Sequence, residues 1–115
     1  QLILYHNPNC SKSCQALSIL QSKNITPILR YYLDKPLNIF EIKSLIRKLD
    51  YKAQELIRKN DALYKSLKLD DPKTEDIQFI NAMIQHPQLI ERPILESPKK
   101  AIVGRPPEKI LEILT

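Results

Sequence analysis

The chain has 115 residues, 43% of them apolar, and a net charge of +5 at pH 7. That length supports one domain, residues 1–115, around one core, and the even spread of apolar residues excludes a disordered chain. No apolar window approaches the ~20 residues of a membrane span, and the lysines and arginines are scattered among acids rather than gathered into a nucleic-acid stripe. The opening QLILYHNP is too short, and too poor in flanking basic residues, for a signal peptide. A soluble, cytoplasmic protein with no membrane or nucleic-acid partner is the expectation. Gly104 is the sole glycine, so glycine-rich nucleotide loops are excluded. Two cysteines make no disulfide scaffold, and His6 and His86 stand far apart, so no metal site is expected.

In chain order, LILY (2–5) reads as a buried strand and NPN (7–9) as a turn. Helical spacing of Leu17, Ile19 and Leu20 predicts a helix from about Ser11 to Ser22, with Cys14 and Ala16 on compatible positions. TPILRYYL (26–33) is β-favouring and predicts a second strand, parallel to the first through a right-handed crossover. Asn38 followed by Glu41 resembles a capping box ahead of Ile42, Leu45, Ile46 and Leu49, which predicts an amphipathic helix. KAQELIRK and ALYKSL suggest two shorter helices, and TEDIQFINAMIQ a longer one with Ile77, Ile80, Met83 and Ile84 on one side. ILES and AIVG read as a hairpin. RPPEKILEIL is expected to close the chain as a helix with prolines in its first turn. The order βαβ, helical block, ββα predicts an α/β protein: a thioredoxin-like fold, its mixed four-stranded sheet interrupted by a helical insertion.

Both cysteines lie in YHNPNCSKSC. Cys10 stands between a strand and a helix, where unpaired backbone N–H groups carry partial positive charge. A thiol placed there ionises more readily than a free one, and the same N–H groups can hold an oxyanion by donating to it. Cys14 follows one helical turn later. It is either a second thiol able to attack a disulfide or adduct on Cys10, or a packed core thiol. No arginine follows Cys10 in SKSCQALSIL, which argues against a low-molecular-weight phosphatase loop. Any cationic clamp must come from elsewhere in the chain. His6 either tunes the thiolate or caps the first strand. Asn7 and Ser13 either order the loop or bond the sulfur. Lys12 either draws in an anion or is a solvated loop residue, and His86 reads as structural.

With these residues in view, the chain resembles the glutaredoxin-coupled ArsC arsenate reductases over nearly its whole length. YHNPNCSKS resembles that family's cysteine motif, and LIRKND, IQHPQLIERPI and GRPPEKILEIL resemble its three arginine segments. The resemblance implies a catalytic thiolate at Cys10, an oxyanion clamp of Arg58, Arg92 and Arg105, and a cis peptide at Arg92-Pro93. It implies arsenate or a similar oxyanion as substrate, glutathione as cosubstrate, glutaredoxin as partner and no bound cofactor. Guanidinium groups suit such an oxyanion because their donors form a fixed fork. Arg30 and Arg47 lack stiff neighbours and read as surface residues. At the position of Cys14 the family usually has an arginine, so this chain exchanges a positive charge for a second thiol.

The expected reaction is therefore arsenate reduction through a Cys10 adduct. Two alternatives share the fold. One is a thiol-disulfide oxidoreductase acting on another substrate. The other is an Spx-type regulator that binds RNA polymerase, a class that carries C-x-x-C where this chain has C-x-x-x-C. The sequence leaves the oligomeric state open.

Overall fold

In a computed structural model, which describes residues 1–114, the LILY run forms strand β1 (Ile3–Tyr5). It leads through a turn into helix α1 (Ser11–Ser22), and the chain returns as β2 (Ile28–Arg30), parallel to β1 with Ile3 opposite Ile28. The expected strand from Thr26 is shorter than its composition suggests. Pro27 precedes it, and beyond Arg30 the amides of Asp34 and Lys35 both donate to the Tyr31 carbonyl, closing a turn. Strands β3 (Ile94–Glu96) and β4 (Ala101–Val103) form the hairpin, and β3 runs antiparallel to β1. The sheet order is β2-β1-β3-β4, mixed as expected.

Two compact units are distinguished: Gln1–Lys35 together with the chain from Arg92 onward, and Pro36–Glu91. The first holds the sheet. Its core is Leu4, Ala16, Leu20, Leu95 and Ile110, all fully buried. These come from β1, α1, β3 and the closing helix, so the apolar stripe of α1 is what ties the βαβ half to the ββα half. That closing helix is a 3-10 helix, Pro107–Ile113, rather than the expected α-helix. Its chain closes by i to i+3 bonds, with the Lys109 amide donating to the Pro106 carbonyl at 3.0 Å, and Pro107 and Ile110 are its buried residues.

The second unit holds α2 (Ile39–Leu49), α3 (Ala62–Ser66) and α4 (Asp76–Gln85). The capping box of α2 is present in full: Asn38 accepts from the Glu41 amide at 2.8 Å, and Glu41 accepts from the Asn38 amide at 3.0 Å. Glu75 and Gln78 make a second box on α4. KAQELIRK yields one 3-10 turn, Ala53–Leu56, before Ile57 turns extended and bridges Ile90. On α4 the buried side is Phe79, Ile80, Ala82 and Met83, while Ile77 points to solvent. Because the chain has one glycine, left-handed backbone falls to Asn24, Asp50 and Lys68, with Asp50 closing α2. Among the described residues, no helix is long and apolar enough to cross a membrane.

Gly104 has no room for a side chain. A Cβ there would meet Ile110 Cγ2 at 2.9 Å and Pro93 Cγ at 3.0 Å, both in buried side chains. Gly104→Ala is therefore expected to cost about 1–3 kcal/mol through overpacking. Urea unfolding checks this, and an unchanged midpoint would show that the neighbours yield freely.

Candidate active site

The strand pairing decides which loops meet. The C-terminal end of β1, the N-terminal end of β3 and the C-terminal end of β4 lie at one end of the sheet, because Tyr5 pairs with Ile94 and Ile94 with Val103. The segments leaving those ends are His6–Cys10, Arg92-Pro93 and Gly104–Arg105. The Gly104 amide donates to the Pro93 carbonyl at 2.8 Å, and Arg105 Nε donates to the Arg92 carbonyl at 2.8 Å. Arg92 and Arg105 are thus brought together by sheet register. Both precede a cis proline. The expected cis bond at Arg92-Pro93 is present, and a second occurs at Arg105-Pro106.

Cys10 occupies the N-cap position of α1, with extended backbone at φ −106° and ψ 121°. An N-cap side chain faces the second and third amides of its helix. The first intrahelical bond here runs from the Cys14 amide to the Cys10 carbonyl at 3.0 Å, which leaves the Ser11, Lys12 and Ser13 amides without helical acceptors. Burial of Cys10, which is 8% exposed, pushes its thiol pKa up. The Ser13 amide, the charge and hydrogen bonding of the Arg92 guanidinium, and the Lys12 amide outweigh that, and the net shift is downward. The buried Nη1 of Arg92 has no hydrogen-bond partner. A buried guanidinium N–H without an acceptor is costly, and an oxyanion seated beside the sulfur would satisfy it.

The side chains of Asn7 and Ser13 order the loop, one of the two roles open to them from the sequence. Ser13 Oγ accepts from the Asn7 amide at 3.1 Å and is 2.6 Å from His6 Nδ1. Asn7 Oδ1 accepts from the Asn9 amide at 2.9 Å, and the Asn7 carbonyl accepts from the Cys10 amide at 3.0 Å. It is the Ser13 amide that bears on the sulfur. His6 is buried, its ring set edge-on to Tyr31 at 5.9 Å, and its amide donates to the Arg30 carbonyl. It therefore supports Cys10 through Ser13. Ser13→Ala would strip the acceptor from the Asn7 amide and the partner from the buried His6 nitrogen. A loss of about 1–3 kcal/mol in denaturant unfolding is expected, and a variant as stable as the wild type would show that the loop holds itself.

Burial lowers the pKa of His6 below 6.5, so the folded chain keeps it neutral where the unfolded chain has begun to bind a proton. The unfolded state then binds more protons, and stability falls as the pH drops below ~6.5. Thermal melts across that window are expected to lose this slope in His6→Gln, and an identical slope would place the titration elsewhere.

Cys14 is exposed, which rules out the packed core thiol. Its Sγ donates to the Pro8 carbonyl at 3.3 Å. Both cysteines are free thiols. Arg58 belongs to the other unit. Its amide donates to the Leu89 carbonyl at 2.7 Å, its Nη1 donates to the Gln88 carbonyl at 3.2 Å, and Asp61 lies 3.7 Å away. Arg30 closes its turn onto the Lys35 carbonyl, and Arg47 is exposed. His86 caps the end of α4 through its backbone, in keeping with a structural part. Among the described residues, no group of three His, Cys, Asp or Glu side chains could hold a metal ion. The Tyr31 contact to His6 had no local signal in the sequence, since it depends on the pairing of β1 with β2.

The ArsC family model matches residues 5–113. The chain belongs to the ArsC family. It is 44% identical to an arsenate reductase of Haemophilus influenzae over 114 residues, covering 98% of each chain. It is 41% identical to one from Neisseria meningitidis serogroup A, over 99% of this chain and 98% of that one. Among solved structures, an arsenate reductase from Vibrio cholerae superposes with a TM-score of 0.95 at 40% identity, covering 97% of this chain and 96% of that one. The thioredoxin-like fold expected from the order of elements is the fold of this family.

Proposed function

We propose that this ArsC-family chain reduces arsenate to arsenite with Cys10 as nucleophile. The observation that carries the reading is the Cys10 sulfur at the head of α1 beside the Arg92 guanidinium, whose Nη1 lacks a partner. Relatives at 44% and 41% identity that bear the name arsenate reductase support it. The Cys10 thiolate attacks arsenic while Arg92, Arg105 and the first-turn amides hold the oxyanion. Arg58 enters as a third clamp residue from the resemblance of its LIRKND segment alone. A sulfur–arsenic bond forms and one arsenate oxygen leaves as water. Glutathione then attacks the Cys10 sulfur. The sulfur–arsenic electron pair passes to arsenic, arsenite leaves, and glutaredoxin clears the resulting mixed disulfide by exchange. On this reading glutathione is a cosubstrate and no bound cofactor takes part. A reducing compartment such as the cytoplasm keeps both thiols available.

The test is arsenate-dependent NADPH oxidation in an assay coupled through glutathione, glutaredoxin and glutathione reductase. Turnover that requires arsenate supports the reading. Reduction of a generic disulfide with none of arsenate would move the assignment to a thiol-disulfide oxidoreductase. Inactivity on both, with co-purification of RNA polymerase, would favour the regulator.

A further inference from the structure

We infer that Cys14 is the resolving thiol of Cys10, so that this chain can release its product with its own two thiols and no glutathione. The inference rests on Cys10 being the nucleophile of the reaction proposed above. Three observations carry it. Both thiols are free, and they sit at the two ends of the first turn of α1. The Cys14 thiol is exposed, and its bond to the Pro8 carbonyl turns it back along the helix toward the loop that delivers Cys10. Cys10 already has extended backbone, so it stands where the chain leaves helical geometry. Within a regular helix, side chains one turn apart have Cβ atoms about 5–6 Å apart, against roughly 3.5–4.5 Å in a disulfide, and Cys10, being extended, is not held to the helical spacing. Loosening the first turn closes that gap, and the backbone bond to be released is Cys14 amide to Cys10 carbonyl, 3.0 Å. Helix ends open at lower cost than helix interiors, so the N-cap end of α1 can admit such a change.

The step balances. Cys10 and H₂AsO₄⁻ condense to a Cys10–S–AsO₃H⁻ adduct and water. The Cys14 thiolate attacks the Cys10 sulfur, a sulfur–sulfur bond forms, and the sulfur–arsenic pair stays on arsenic. Two thiols are oxidised by two electrons, arsenic(V) becomes arsenic(III), and with proton uptake As(OH)₃ leaves. The exposed Cys14 side presents the disulfide to a dithiol protein reductant, which restores both thiols by exchange. The same pair would close after oxidation of Cys10 to a sulfenic acid by hydrogen peroxide, with water as the leaving group.

The experiment uses the full chain, reduced and freed of added thiol. Wild type, Cys14→Ser and Cys10→Ser are each given arsenate alone, arsenate with glutathione and glutaredoxin, or hydrogen peroxide alone. Arsenite is counted, and a Cys10–Cys14 bond is sought by peptide mass. The expected result is a single equivalent of arsenite per wild-type chain with arsenate alone, together with the disulfide. Cys14→Ser releases no arsenite above background until glutathione is added, because no second thiol of the chain remains to attack Cys10. Wild type that turns over with glutathione yet releases nothing without it would overturn the inference and leave the arsenate reading standing. Wild type that reduces no arsenate under any condition, yet closes Cys10–Cys14 with peroxide, would overturn the arsenate reading and support the thiol pairing. Absence of the disulfide in both the arsenate and the peroxide arms would overturn the pairing.

Discussion

Cys10→Ser is expected to abolish arsenate-dependent NADPH oxidation, a loss of at least about 10⁴-fold in kcat. A serine hydroxyl at this position is un-ionised at neutral pH, and an oxygen–arsenic ester cannot pass two electrons to arsenic as the sulfur does. The variant should remain folded. Cys10 is the N-cap of α1, and serine is among the preferred N-cap residues, so its melting temperature is expected to match or exceed that of the wild type. Loss of turnover with an intact melt isolates the chemistry from the fold. Turnover within about tenfold of the wild type would remove Cys10 from the mechanism.

Arg92→Ala has the second large effect, and it acts on two quantities at once. The guanidinium holds the Cys10 pKa down through its charge and as a hydrogen-bond donor, and its unpartnered Nη1 is the donor left for an oxyanion. Removing a preorganised donor of this kind costs on the order of 10²–10³-fold in rate. The thiol pKa should rise as well. Reactivity of Cys10 toward iodoacetamide, present above its pKa and lost as the pH falls through it, should therefore need a higher pH in the variant. Arg92→Lys restores the charge without the planar fork, so it should recover the alkylation profile more fully than kcat/KM. The Arg105 anchor survives either change, because Arg105 bonds the backbone carbonyl of Arg92 and not its side chain. An alkylation profile unmoved in Arg92→Ala would show that the guanidinium does not act on the sulfur.

Features that depend on a few neighbouring residues were legible in the sequence by themselves. The helix from Ser11 to Ser22, the Asn38–Glu41 capping box and the strand-turn-helix setting of Cys10 are of this kind, because propensity, capping and turn chemistry act over one or two turns of chain. The order of elements was enough to anticipate a mixed four-stranded sheet. Resemblance pointed to Arg92 and Arg105, and no local pattern did.

What only the tertiary structure decided depends on which strands pair and in what register. Arg92 reaches Cys10 because β3 lies antiparallel beside β1, and Arg105 reaches Arg92 because β4 follows β3. Periodicity gives the face that a residue occupies on its own element, not the element that comes to lie beside it. The same limit explains Cys14, whose helical position allowed either a core or a surface thiol until the bond to Pro8 placed it at the surface. It also applies to the last helix, whose prolines at the start suit an α-helix and a 3-10 helix alike, so that the tighter i to i+3 bonding of Pro107–Ile113 belongs to the packed chain and not to its local pattern.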